Sequence, residues 1–359
     1  MANAIVIAVD AMGGDYYPAN PVRGALLALR ELSGDFELVL VGSQEALERE
    51  LGRHKHNGDS RLRVQNATQI VSPTEHPGEV ARSKLDSSIH VGARLVSAGS
   101  ADALVSAGNT GALMAVSLLQ LKRIKGVQRP ALAATFPTVL GRPSLVLDVG
   151  ANAECKPVYL AQFALMGASY SQLVLGQSDP RVGLINVGIE GGKGNALAQA
   201  THQLLCQLAE GGAFIFSGNI EGDAILSGEC QVIVTDGFTG NVVLKMVEGL
   251  KPTAEKMLKR VIRNGRADQM VWGVLASKVF LGPTLGALKR TFDYQKYGGA
   301  PFLGVNGVVI KAHGRSTPEA FKYAIEAAIH AAQNNMVDVI TRQMAPYANG
   351  STTETAGGS

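Results

Sequence analysis

The chain has 359 residues, 46% of them hydrophobic and 18% charged, with a net charge of +3. That length and apolar content suit a large buried core and exclude a disordered or fibrous chain. Three cysteines (Cys155, Cys206, Cys230), odd in number and without a C-x-x-C spacing, argue against a disulfide framework and for a reducing compartment. The N-terminus reaches Asp10 without a basic run, so we read no signal peptide. The uncharged stretch 157–178 is interrupted by Gln and Ser, so no transmembrane helix is expected there. The expectation is a cytoplasmic protein.

Ile5 to Val9 reads as a buried strand ending at Asp10, followed by an acidic glycine turn through Gly13, Gly14 and Asp15. The pattern then predicts a helix over 23–32, a strand over 36–41, a helix over 44–51, and short strands over 62–65 and 69–71. A single helix is expected over 79–97, containing Lys84 and Ser88. Ala103 to Val105 is a short apolar strand, broken by Gly108-Asn109-Thr110-Gly111 before a helical run over 112–121. Glycines there allow a sharp turn and a close ligand, and the first N–H groups of the helix form an anion site. A tight turn with no ligand is the other reading of that loop.

The same design recurs. Strands over 131–136 and 144–147 lead into Asp148-Val-Gly-Ala-Asn152 and a helix from about Pro157. Strands over 181–187, 213–217 and 231–235 run into loops carrying Lys193, Asn219 and Asp236 to Asn241, with helices over 196–209 and from 242. A last strand over 308–311 precedes His313. Ser316 to Glu319 then forms a capping box for a helix reaching about Met344. Strands alternating with helices predict an α/β fold, and ligands in such sheets sit beyond the carboxyl ends of the strands. Gly with Asn or Asp at five strand ends predicts one shared cleft. We read residues 1–345 as a single α/β domain and 346–359 as a disordered tail.

Residues 251–296 differ, with ten Lys or Arg against three acids, net +7. Apolar Trp272, Leu275 and Phe280 lie within this segment, which reads as a helical arm. Such a surface, with Lys259, Arg260 and Arg263, suits an anionic membrane or an acidic protein partner. A solvated arm, or one packed on a second subunit, is the alternative.

Several machineries are absent from the sequence. Neither G-x-G-x-x-G nor G-x-x-x-x-G-K-[ST] occurs, so no nucleotide fingerprint exists. No G-x-S-x-G elbow occurs, and His54 and His56 lack a metal-binding context. No metal or cofactor is expected.

At this point the residues carry a resemblance. Asp10-x-Met-Gly-Gly-Asp15, Ser106-Ala-Gly-Asn-Thr-Gly111, Asp148-x-Gly-Ala-Asn152, Gly218-Asn-Ile-Glu-Gly222, Asp236-Gly-Phe-Thr-Gly-Asn241 and Tyr297-Gly-Gly-Ala-Pro301 together resemble the bacterial phosphate acyltransferases of phospholipid synthesis. The second lysine of that family's pattern is Leu85 here. The resemblance implies a doubly wound, Rossmann-like αβα sandwich similar to phosphotransacetylase and isopropylmalate dehydrogenase. It also implies a homodimer, peripheral membrane association and no cofactor. The implied reaction moves an acyl group from an acyl carrier protein thioester to orthophosphate, and no nucleic-acid partner is implied.

That chemistry asks for a phosphate cradle, an oxyanion donor and close positioning of the two reactants. We take Asn109, Lys193, Asn241 and His313 as catalytic candidates. Candidate substrate contacts are Asp10, Gly13, Gly14, Lys84, Ser88, Gly108, Thr110, Gly111, Asp148, Asn152 and Asp236. Asp10, Asp148 and Asp236 either orient other groups or cap helices. Two rival functions stay open: a phosphotransacetylase acting on coenzyme A thioesters, and a non-catalytic scaffold for an acidic partner or membrane.

Overall fold

The computed structural model describes residues 4–54, 58–264 and 298–346. In chain order it holds β1 (Ile5–Asp10), α1 (Ala19–Glu31), β2 (Phe36–Gly42), α2 (Gln44–Leu51), β3 (Leu62–Asn66), α3 (Pro77–Ser83), α4 (Ser88–Ser97), β4 (Ala103–Ser106) and α5 (Thr110–Gln120). Then come β5 (Ala131–Phe136), β6 (Ser144–Leu147), α6 (Pro157–Leu173), β7 (Arg181–Ile185), α7 (Ala196–Glu210), β8 (Ile215–Ile220) and a 3-10 turn, Gly222–Leu226. The rest is β9 (Val232–Val234), α8 (Gly237–Asn264), β10 (Ala300–Leu303), β11 (Val308–Lys311), α9 (Pro318–Gln333) and α10 (Met336–Met344).

All strands of the described residues join one sheet, ordered β3-β2-β1-β4-β11-β10-β5-β6-β9-β7-β8. The first five are parallel, and so are the last four. Three antiparallel pairings through β10 and β5 separate the two sets and reverse the second. Alternation along each strand feeds two cores. Ile7, Val9, Leu38, Leu40 and Val105 pack on one face with Phe163 of α6 and Phe321 of α9. Ala8, Val39, Val41 and Leu104 pack on the other with Ile89 of α4 and Leu113 of α5. Each such buried Val, Leu, Ile or Phe side chain contributes roughly 1.5–3 kcal/mol. The αβα layering agrees with the sequence reading.

Several boundaries differ from expectation. The helix expected over 79–97 is two helices, because Lys84 to Ser87 leave the helical path. Ser87 then caps α4 by accepting from the His90 N–H at 3.4 Å. No strand forms over 69–71, where Gln69 makes only an isolated bridge to Ser87. Thr317, not Ser316, caps α9, accepting from the Ala320 N–H at 3.3 Å. The final helix is interrupted by Asn335 in the left-handed region, φ 50°. β10 is a strand that the glycines before it concealed. The tail 347–359 and the arm residues Trp272, Leu275 and Phe280 lie outside the described residues, while Lys259, Arg260 and Arg263 fall in the last turns of α8.

Candidate active site

Two groups of strand ends carry polar side chains. The first gathers where β1, β4 and β11 end side by side, at Asp10, Ser106 and Lys311. Asp10 is fully buried. Its carboxylate accepts from the Ser106 hydroxyl at 2.6 Å and from the Met12 N–H at 3.1 Å, with a further bond from Ser88. Burial pushes its carboxyl above the usual range, and those bonds oppose the shift. Ser106 Oγ in turn accepts from the Gly108 N–H at 3.0 Å, which fixes the start of the glycine loop. Only glycine fits at position 13: a Cβ there would lie 2.5 Å from Asp10 Oδ2 and 2.7 Å from Gly108 N.

Asn109 caps α5. Its Oδ1 accepts from the Ala112 N–H at 3.0 Å, and its Nδ2 donates to the Pro73 carbonyl at 2.9 Å and to that of Glu75 at 3.3 Å. Lys84 fastens the same segment, through the Ile70 carbonyl at 2.6 Å and Glu75 Oε1 at 2.5 Å. Asn109 and Lys84 thus hold the 70–75 loop as a wall. The backbone N–H groups of Asn109, Thr110 and Gly111 have no partner among the described residues. They open into a cleft of about 940 Å³ lined by Met12, Gly14, Asp15, Ile70 to Pro73, Lys245, Lys311, His313 and Gly314.

His313 Nδ1 accepts from the Arg315 N–H at 3.0 Å, which leaves the ring proton on Nε2, 3.6 Å from Glu248 Oε1. Glu248 also accepts from Lys245 Nζ at 2.9 Å. Burial opposes the ionisation of Glu248, yet the bonds from His313 and Lys245 hold its carboxyl below the usual range.

The second group lies at the ends of β6 and β9. Buried Asp148 accepts five bonds from four residues: the N–H groups of Leu132, Gly150, Ala151 and Asn152, and the Asn152 amide, at 2.6 to 3.2 Å. Burial pushes this carboxyl up as well. Asn152 also donates to the Pro130 carbonyl at 2.7 Å. Asp236 caps α8, accepting from Thr239 N–H and Oγ1, both at 2.9 Å. Burial pushes the nearby Cys155 thiol up to about 11, so it stays protonated near neutral pH and is a poor nucleophile.

α8 connects the two groups. Asn241 lies against Gly150, where a Cβ would sit 3.4 Å from its Oδ1. Lys245, one turn further, lines the first cleft, and Glu248 meets His313. Lys193 stands apart, exposed on the loop after β7, where its carbonyl accepts from Asn186 Nδ2 at 3.0 Å. That loop borders a separate recess of about 390 Å³ lined by Asn186, Asn195, Asp236 and apolar Leu160, Leu184 and Leu197. The structure therefore brings Gly14, Gly108, Asn109, Thr110, Gly111 and His313 to one cleft, with Asp10, Gly13, Lys84 and Ser88 supporting it. Asp148, Asn152, Asp236 and Asn241 form the second group. Sequence reasoning missed Lys245 and Lys311. The i, i+4 spacing of Asn241 and Lys245 was the available signal for the first.

The family model described as "Fatty acid synthesis protein" matches residues 5–339. The phosphate acyltransferase of Desulfitobacterium hafniense is 44% identical over 339 residues, covering 94% of this chain and 97% of that one. The chain belongs to the phosphate acyltransferase family. The phosphate acyltransferase of Myxococcus xanthus is 45% identical over 94% of this chain and 92% of its own length. The enzyme transfers acyl groups to phosphate in fatty acid and phospholipid synthesis. A phosphotransacetylase from Streptococcus pyogenes shares the fold, with a TM-score of 0.59 at 16% identity over 92% of this chain and 94% of that one. Among the described residues no helix is long and apolar enough to cross a membrane.

Proposed function

We propose that the acyl donor is a long-chain acyl carrier protein thioester and that orthophosphate attacks it directly. The observation that carries the phosphate part of this reading is the row of three N–H groups, at Asn109, Thr110 and Gly111, without a partner among the described residues and facing a cleft that also holds Lys245, Lys311 and His313. Helix N-termini of this kind favour anions. Phosphate seated there is a nucleophile in its own right, so no acyl-enzyme is needed. The protein supplies alignment, worth up to about 7–11 kcal/mol in favourable cases. It also supplies donors to the oxyanion that develops on the thioester carbonyl, at roughly 3–4 kcal/mol each.

In this reading Asn241 and Asn152 lie beside the carbonyl end of the substrate, and His313, held by Glu248, is the candidate proton donor to the departing thiolate. Lys193 and the recess beside it flank the path of the pantetheine arm. The basic segment 251–296 is read as the surface for the acidic carrier protein and an anionic membrane, and the enzyme as a homodimer. The donor is tested by thiol release from acyl carrier protein and from coenzyme A thioesters of the same chain at saturating phosphate. At least a tenfold preference in kcat/KM for the carrier protein is expected, about 1.4 kcal/mol of discrimination. Equal values, or a preference for coenzyme A, would overturn the carrier-protein reading.

A further inference from the structure

Lys311 is the one buried lysine among the described residues. It ends β11, with its backbone paired to Ser106 on one side and Ala300 on the other. The three residues before it, Val308, Val309 and Ile310, are the apolar residues a central strand requires. The lysine itself is only 9% exposed. Its Nζ donates to the Ala312 carbonyl and, at 3.5 Å, to the Ala107 carbonyl. An ammonium has three donors, so one has no protein partner among the described residues. The side chain lines the cleft beside the Asn109–Gly111 amides.

Burying a charge in mid-sheet is costly, and an apolar residue would serve the strand better. The charged groups around Lys311 are few and come from three sides. Asp10 on β1 and Asp15 in the following loop attract it. From α8, Lys245 repels it and Glu248 attracts it. His313, two residues on, shares the cleft. Asp10 already accepts from Ser106, Ser88 and the Met12 N–H, so it is not dedicated to the lysine.

We propose that Lys311 is the cationic floor of the phosphate site, its ammonium pairing with the bound dianion while the free amides of the α5 N-terminus hold it from the side. This rests on phosphate being the acyl acceptor. It adds a control: only the protonated lysine captures phosphate well. Burial pushes the ammonium down to about 8, within reach of ordinary assay conditions. A bound dianion favours the charged form, so anion and proton bind together. By linkage, anion affinity must fall as pH rises through that value.

Sulfate is the informative probe, because it stays a dianion throughout this range while phosphate titrates. Its inhibition constant against phosphate is measured from pH 7 to 9.5. For the wild type it should be steady near pH 7 and weaken by about tenfold per pH unit above 8. Lys311→Met should show weak, pH-independent inhibition. Its phosphate KM should be raised about tenfold or more, the loss of one charge-assisted contact, with the acyl-donor KM unchanged. Lys311→Arg, charged at all these pH values, should recover much of the phosphate affinity and lose the alkaline fall. Melting curves check that the variants fold, and the wild-type sulfate profile stands even where they do not. A flat wild-type profile, an alkaline fall that persists in Lys311→Met, or a wild-type phosphate KM in that variant would each overturn the proposal. Absence of phosphate-dependent thiol release from the wild type would instead sink the functional reading beneath it.

Discussion

Asn109 illustrates how a conspicuous polar residue divides its capacity. Its oxygen caps α5 and both amide hydrogens tie the 70–75 loop, so its side chain shapes the cleft while its backbone N–H faces it. Asn109→Ala is expected to cost about 1–2 kcal/mol of stability, from the lost cap and loop ties. The phosphate KM should rise, with kcat falling by less than the roughly hundredfold of a lost transition-state donor. Steady-state kinetics beside a melting curve check this; a hundredfold loss of kcat at unchanged melting temperature would make Asn109 a donor to the reacting atoms. At this scale the glycine loops were legible because sharp turns and close contacts leave a mark in residue type, as at Gly13. Lys311 was not. A lysine at a strand end is ordinarily solvated, and only the register beside Ser106 and Ala300 reveals that this one is buried.

At the scale of elements, α8 carries the site from one group of strand ends to the other. Val243, Leu244 and Val247 pack on the core beneath it. The residues that start it must let it approach the Asp148 loop. A Cβ at Gly240 would lie 1.8 Å from the Asp148 carbonyl oxygen, a clash with backbone that no side-chain rotation relieves. Gly240→Ala should therefore displace the first turn of α8 or destabilise the fold by several kcal/mol, the range of severe steric substitutions. The check is the melting temperature together with kcat. Wild-type values for both would show that the helix is not held against that loop. The sequence announced α8 late, from Val242, because Asp236 to Asn241 reads as loop, yet Asp236 is a cap and the helix begins at Gly237. The opposite error at Lys84 to Ser87 has the same origin. Polar residues that cap from within a periodic run do not interrupt its hydrophobic pattern.

For the whole molecule, two parallel sets of strands run against each other, joined by the antiparallel β10 and β5. The α/β alternation made the layering legible. The reversal was not, since β10 lies hidden behind Gly298 and Gly299 and pairs far from its sequence neighbours with β5. The reversal separates the Asp10 and Asp148 groups, and α8 links them, with Asn241 against Gly150 and Lys245 lining the cleft beside the α5 N-terminus. In the proposed reaction, phosphate held at the α5 N-terminus is itself the nucleophile. Phosphorus NMR of a reaction containing orthophosphate and an acyl carrier protein thioester tests it most directly. An acyl-phosphate resonance should grow in step with free thiol. Thiol released without a new phosphorus species, at a rate indifferent to phosphate, would contradict it.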